Sequence, residues 1–328
     1  MKQRICAVLL AMMASLSYAA QDSKTFADDP AVIEFARDME QRHGFNANDL
    51  LGYFSRVSLN QRVLDLMKPP TSPRQRSWER YKQRFINDHR IDGGVAFWEE
   101  NRETLLRAQE TFGVPPEYIV AIIGVETDYG NNTGGFKVLE ALTTLAFHYP
   151  RRADFFRTEL EQFLILSREN NVYPPVIKGS YAGAIGIPQF MPGSLRRYAV
   201  DFDGSGSIDL GNSVSDAIGS VARYFEQHGW QSGQPVAVQA HINGQLDQSW
   251  IEAGIRPSLQ VSTLAANGVA TAQAPDGTVA LIDLVTPDQE TEYWLGYDNF
   301  YVITRYNRSS FYAMSVFQLA QEIKARMH

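Results

Sequence analysis

The chain has 328 residues, 44% of them apolar and 20% charged, an ordinary globular balance in a polymer too long for one small core. Its formal net charge is −7 and no Lys/Arg run is long enough to grip a phosphate backbone, which argues against a nucleic-acid partner. Beyond the N-terminus, no segment is apolar for long enough to be read as a transmembrane span.

Residues 1–20 read as a cleavable secretory signal. Lys2 and Arg4 form a basic start, Ile5–Ser17 a short apolar stretch, and Ser17-Tyr18-Ala19 places small residues around the cleavage point. Cleavage removes two of the 30 basic residues and leaves 28 against 37 acidic ones, a net charge of −9. The only cysteine, Cys6, lies inside this segment rather than at its far end, so the mature protein is expected to carry no disulfide and not to be a lipoprotein.

Residues 21–29 are polar. Asp28 or Asp29 then caps a helix that has Pro30 at its first position and Val32, Phe35, Ala36 and Met39 at helical spacing, ending near Gly44. Residues 48–67 read as one or two further helices, and Pro69-Pro70-Thr71-Ser72-Pro73 as a stiff linker. Residues 75–230 look mainly helical. From Gln234 the pattern changes: Val236-Ala237-Val238, His241-Ile242 and the run Val279–Val285 after Pro275-Asp276-Gly277 suggest strands, and Tyr301-Val302-Ile303-Thr304 closes the stretch. Ala313, Val316, Phe317, Ala320 and Ile323 make a last amphipathic helix. The fold class is therefore α+β, mainly α. The expected organisation is a helical domain at 21–74 completed by 305–328, a helical core at 75–233, and a small β module at 234–304.

Chemistry concentrates in three places. The run Tyr118–Gly130 follows the helix-start residues Pro115, Pro116 and Glu117, although its β-branched content would equally suit a strand. Glu126 closes eight consecutive apolar or glycine positions. A carboxyl so placed is desolvated on one side, which raises its pKa and suits it to protonating a glycosidic oxygen. The bland alternative is an exposed helix-end Glu. The second place is Lys178–Pro192, where three glycines leave little bulk and would let a substrate approach the backbone, with Ser180 and Gln189 as hydrogen-bonding groups. Its glycine spacing fits neither a dinucleotide loop nor a P-loop, and a tight interhelical loop is the plain alternative. The third is Asp201–Asp209, which follows the start of a calcium loop. Asp201, Asp203, Ser205 and Asp209 stand at positions 1, 3, 5 and 9, Gly206 at 6, and Ser207 at the position that uses its backbone carbonyl. Position 12 is Asn212 rather than Glu. There is no His-Glu-x-x-His pair, no Cys/His cluster and no Gly-x-Ser-x-Gly elbow.

Taken together, Val125-Glu126-Thr127 with Tyr129-Gly130, Gly179–Pro192, Thr144–Arg152, Asp216–Ser220 and Tyr306–Ser309 resemble the lytic murein transglycosylase B family, glycoside hydrolase family 103, over nearly all of the chain after the signal. The resemblance implies a lysozyme-like core in a periplasmic enzyme. That enzyme would cleave the β-1,4 bond between N-acetylmuramic acid and N-acetylglucosamine in peptidoglycan, leaving a 1,6-anhydro end. It implies Glu126 as acid and then base, a glycan cleft lined by Tyr81, Ser180, Gln189, Tyr224, Tyr306, Asn307 and Tyr312, and Arg151 and Arg152 meeting peptide or lactyl carboxylates. It also implies a structural calcium closed by Asp216, although this chain has one residue more before that Asp than the family pattern. No cofactor is expected for catalysis, the partner is the glycan strand, and the protein is expected to be a monomer. No second carboxylate is convincingly placed beside Glu126; Asp128, two residues on, would point elsewhere on a helix. That absence favours a substrate-assisted mechanism. The alternatives are a non-catalytic peptidoglycan-binding protein and a lysozyme-type hydrolase.

Overall fold

The structure is a computed structural model that describes residues 25–69 and 77–327; the signal segment and most of the Pro-rich linker lie outside the described residues. Three helices open it: α1 (Pro30–His43), α2 (Ala47–Phe54) and α3 (Gln61–Leu66). Asp29 caps α1 by accepting the Ala31 N–H at 2.9 Å, and Gly44 ends it at φ 66°. Next come α4 (Trp78–Lys82), α5 (Asp88–Glu100), α6 (Arg102–Phe112) and α7 (Pro116–Thr127). A two-residue strand β1 (Phe136–Lys137) precedes α8 (Val138–His148) and α9 (Ala153–Glu169), and pairs antiparallel with β2 (Lys178–Gly179). The helices α10 (Pro192–Tyr198) and α11 (Val214–Gln227) complete this part.

The later segment forms one antiparallel sheet of β3 (Ala237–Ile242), β4 (Leu259–Gln260), β5 (Val269–Thr271), β6 (Thr278–Leu284) and β7 (Glu292–Gly296), in the order β4-β6-β7-β3-β5. Two short helices, α12 (Ser249–Glu252) and α13 (Val261–Ala266), lie within it. The chain closes with α14 (Asp298–Thr304) and α15 (Ser310–Arg326).

Two expectations about the end of the chain need correction. Tyr301–Thr304 belongs to the helix α14, not to a strand closing the β module. Its β-branched residues are overridden by packing, because Phe300, Val302 and Ile303 are buried in the main core. The last helix does not complete the N-terminal domain either. Every residue of α15 from Ser310 to Val316 is buried, and the helix packs with α7, α5 and β6. Lys324 Nζ meets Glu117 Oε1 at 2.7 Å, and Arg326 pairs with Asp88 and Asp92 of α5.

The N-terminal helices find their partner elsewhere. Val32, Phe35, Met39, Leu50 and Phe54 form one apolar cluster with Leu139 and Leu142 of α8 and with Phe156, Leu160 and Phe163 of α9. Residues 75–233 are thus divided between two cores rather than enclosing one. A third, smaller core of Ala240, Val261, Leu264, Val279, Leu281 and Leu295 belongs to the sheet.

Candidate active site

The Tyr118–Gly130 run is helical. Pro116 sits at its first turn, where a missing N–H costs nothing, and every residue of α7 except Glu126 is buried. A helix that is apolar all round has to be enclosed, and α15, α5, α6 and α11 enclose this one. Its C-terminus is held from several sides. Asp128 caps it in the left-handed region at φ 54°, with its carboxylate 3.0 Å from His89 Nε2 and 3.2 Å from Arg90 Nε. Arg90 also donates to the Gly124 carbonyl. Gly124 is where the Tyr129 ring lies: a Cβ there would stand 2.6 Å from its hydroxyl. Thr127 Oγ1 donates to the Ile187 carbonyl at 2.8 Å and accepts the Gly130 N–H at 3.0 Å, tying the helix end to the glycine-rich segment.

Glu126 is the half-buried residue at this fixed end. Burial pushes its carboxyl up to about 7 from an ordinary 4.5, opposed by a hydrogen bond from the Tyr312 hydroxyl to Oε1 at 2.5 Å. Among the described residues no second carboxylate contributes to this shift. Asp128, the near neighbour in sequence, is committed to His89 and Arg90.

Tyrosines surround the acid. Tyr312 is buried, and its own hydroxyl is pushed well above its usual range by burial and by the Glu126 charge. Tyr306 and Tyr81 are raised mainly by burial and then by the same charge. The Tyr224 ring centre is 4.6 Å from that of Tyr306, and Phe190 faces both. Tyr81 packs on Phe311, beside Trp78.

The glycine-rich segment is a compact loop braced by the Ile185–Phe190 bridge. Its glycines answer to the protein rather than to a ligand. A Cβ on Gly179 would meet the Ala184 carbonyl oxygen at 2.1 Å, and one on Gly186, at φ 78°, the Leu210 carbonyl oxygen at 2.5 Å. Ser180 Oγ accepts the Ala184 N–H at 3.0 Å. Gln189 holds φ 50°, and its Nε2 donates to the carbonyls of Thr133 and Gly186 at 3.0 and 2.8 Å. Its side-chain oxygen has no such bond among the described residues. Tyr306 donates to the Pro188 carbonyl at 3.2 Å and fastens the loop to the ring.

A half-buried acid with an elevated pKa, one tyrosine donor and aromatic walls has the chemistry that general acid/base work requires. A model of the transglycosylase SLT domain family matches residues 27–321. The chain belongs to this transglycosylase family. It is 45% identical to the membrane-bound lytic murein transglycosylase B of Escherichia coli K12 over 309 residues, 91% of this chain and 84% of that protein. The crystal structure of the soluble lytic transglycosylase SltB1 of Pseudomonas aeruginosa is 50% identical and superposes with a TM-score of 0.83, covering 91% of this chain and all of that one. Slt35 of Escherichia coli, solved in complex with calcium, is 41% identical with a TM-score of 0.83, over 92% of this chain and 95% of the other. The fold of this transglycosylase is that of these lysozyme-like enzymes.

Within the transglycosylase, the sequence-predicted residues do not all gather. Tyr81, Tyr224, Tyr306 and Tyr312 gather around Glu126, while Gln189 and Ser180 lie in the glycine-rich segment that Tyr306 contacts at Pro188. Asn307 is exposed on the turn after Tyr306. Arg151 and Arg152 stand apart on the short turn Pro150–Arg152 before α9, both exposed, with the Arg152 guanidinium 4.1 Å from the Phe155 ring centre. Residues missed in the sequence are the brace, Thr127 and Arg90, and His228, whose ring stacks on Tyr224 at 4.0 Å. The i, i+4 spacing of Tyr224 and His228, the residue that caps the end of α11, was the available signal for the last.

The acidic loop of the transglycosylase brings carboxylate oxygens of Asp201, Asp203 and Asp216 within 4.8 Å of one another. Asp216 is fully buried in the first turn of α11 and accepts N–H groups from Phe202, Asp203 and Asp209. Asp209, at loop position 9, turns its carboxylate to the Gly211 and Asn212 N–H groups. Ser205 Oγ donates to the Ser207 carbonyl, and the Ser207 side chain is exposed. Three converging carboxylates, none in an ion pair among the described residues, are hard oxygen donors that fit a calcium ion.

Proposed function

We propose that this transglycosylase cleaves the β-1,4 bond between N-acetylmuramic acid and N-acetylglucosamine of peptidoglycan with Glu126 as its one acid/base, forming a 1,6-anhydro end. The observation that carries the reading is the Glu126 carboxyl raised to about 7, hydrogen-bonded to Tyr312 and without a second carboxylate acting on it. At neutral pH a large share of this group carries a proton, so it protonates the departing glycosidic oxygen as the C1–O bond breaks. The substrate's own 2-acetamido oxygen closes on the anomeric carbon, taking the part that a second carboxylate plays elsewhere. Glu126, now ionised, accepts the proton of the C6 hydroxyl. That oxygen attacks C1, displaces the acetamido oxygen and closes the anhydro ring, leaving the carboxyl protonated for the next cycle.

Tyr312 positions the carboxyl and stabilises its charged form between the two steps. Tyr81, Tyr224 and Tyr306 offer apolar faces to the sugar rings, and the Gln189 side-chain oxygen and Ser180 take hydroxyl or N-acetyl groups. Exposed Asn307 adds polar contacts at the rim, and Arg151 and Arg152 meet substrate carboxylates farther from the reacting bond. Asp201, Asp203, Asp216 and oxygens of Ser205 and Ser207 would hold a structural calcium that ties the loop to α11. The site of action is the periplasm, reached through the N-terminal signal.

The experiment is solubilisation of purified sacculi by the native protein and by Glu126→Gln, with binding followed in parallel. Loss of turnover with binding kept supports the assignment. Turnover retained by the variant contradicts it.

A further inference from the structure

A cavity beside Tyr224 is lined by residues that, apart from Tyr224 and His228, have no part in the site described above. It has a volume of about 570 Å³, and Glu159, Arg197, Tyr198, Tyr224, His228 and Arg305 form its working walls. Tyr224 is shared: one face looks toward Tyr306 and the acid, and the His228 ring stacks on it at 4.0 Å. The cavity therefore opens beside the position where a sugar ring would rest.

Its charges are unusual. Arg196 is spoken for, bound to Glu169 and Gln162. Arg197 and Arg305, in contrast, form no ion pair with any described residue. Arg197 lies 5.8 Å from the centre of the Tyr198 ring and acts on Glu159 across the cavity, and Arg305 lies 5.9 Å from the centre of the Tyr301 ring. Glu159 is buried at the back, and its Oε2 accepts the Gly193 N–H at 2.8 Å, which leaves Oε1 to face the cavity. Two unpaired guanidiniums, one carboxyl acceptor and an aromatic wall make a site for a flexible chain carrying carboxylates and amide N–H groups.

We infer that this cavity receives the stem peptide of the muramyl residue, its carboxylates held by Arg197 and Arg305 and an amide N–H by Glu159. This rests on the proposed peptidoglycan reading and extends it, since the peptide branches from the muramyl sugar that Tyr224 would hold. The cavity makes the peptide a determinant of substrate choice, through residues distinct from Arg151 and Arg152.

The test compares kcat/KM on peptide-bearing strands with that on the same strands stripped of peptide by an amidase. The native protein should prefer peptide-bearing strands. In the double variant Arg197→Ala/Arg305→Ala that preference should fall about tenfold or more, mainly through KM. Ser194→Asp, which adds a negative charge to the cavity wall and leaves the arginines in place, should lower it in the same direction. Unchanged melting temperatures guard against a folding defect in either variant. Equal turnover of both substrates by the native protein, or a preference that neither variant moves, overturns the inference and leaves the Glu126 reading standing. A native protein that cleaves neither substrate overturns both.

Discussion

Glu126→Gln should make the protein more stable at alkaline pH and leave it nearly unchanged at acid pH. The folded chain releases this proton at about 7, against an ordinary 4.5. Between those values the folded state keeps a proton that the unfolded state has lost, so stability falls as pH rises through that window. Each factor of ten in proton affinity is about 1.4 kcal/mol, which makes the ionised carboxyl a cost of about 3 kcal/mol above pH 7. Glutamine has the same shape, never ionises, and keeps an oxygen to accept the Tyr312 hydroxyl. The stability difference between variant and native protein should therefore grow from near zero at pH 4.5 to about 3 kcal/mol at pH 8. Denaturant unfolding of both proteins at the two pH values measures it, and other titrating groups cancel in the difference. A difference that is the same at both pH values, or a variant no more stable at pH 8, would refute burial as the origin of the raised pKa.

Tyr312→Phe removes the one hydrogen bond that favours the charged form of Glu126. The alkaline limb of the pH–rate profile should move up by about one pH unit and kcat should fall about tenfold; a profile that stays in place argues against the contact. Thr127→Val strips the buried Ile187 carbonyl and the half-buried Gly130 N–H of their partner. It should cost about 2 kcal/mol in stability and lower activity as the glycine-rich loop loosens. Added calcium should raise the melting temperature of the native protein, while Asp216→Asn should abolish the increment; equal shifts in both would exclude Asp216 as a ligand.

Much of the site was legible because its signals are local. An acid at the end of an apolar run, a tight glycine segment and a spaced set of aspartates each survive as linear patterns. The first is a carboxyl that burial raises, and the third keeps Asp201, Asp203 and Asp216 close together in space. The glycines of the second serve a purpose the pattern hides: Gly179 and Gly186 make room for the protein's own carbonyls, a contact between distant segments that spacing does not report. The same holds for Gln189, whose amide nitrogen braces Thr133 and Gly186.

The ends of the chain illustrate what local pattern omits. The periodicity of Ala313, Val316, Ala320 and Ile323 correctly marks a helix. Which surface covers it depends on α7, nearly all of whose faces need burial, and on the Glu117–Lys324 pair. Tyr301–Thr304 has the composition of a strand and forms a helix because its side chains fill the main core. The brace of Arg90 on the Gly124 carbonyl joins residues on separate helices, and no motif announces it.

The most direct test of the account is the chemistry of the new chain ends. Mass spectrometry of the products released from purified sacculi separates anhydro ends from reducing ends by the mass of one water. A single acid/base that deprotonates the C6 hydroxyl predicts 1,6-anhydro ends from the native protein and no products from Glu126→Gln. Reducing ends would contradict it, because water would then have done the work assigned to the substrate's own hydroxyl.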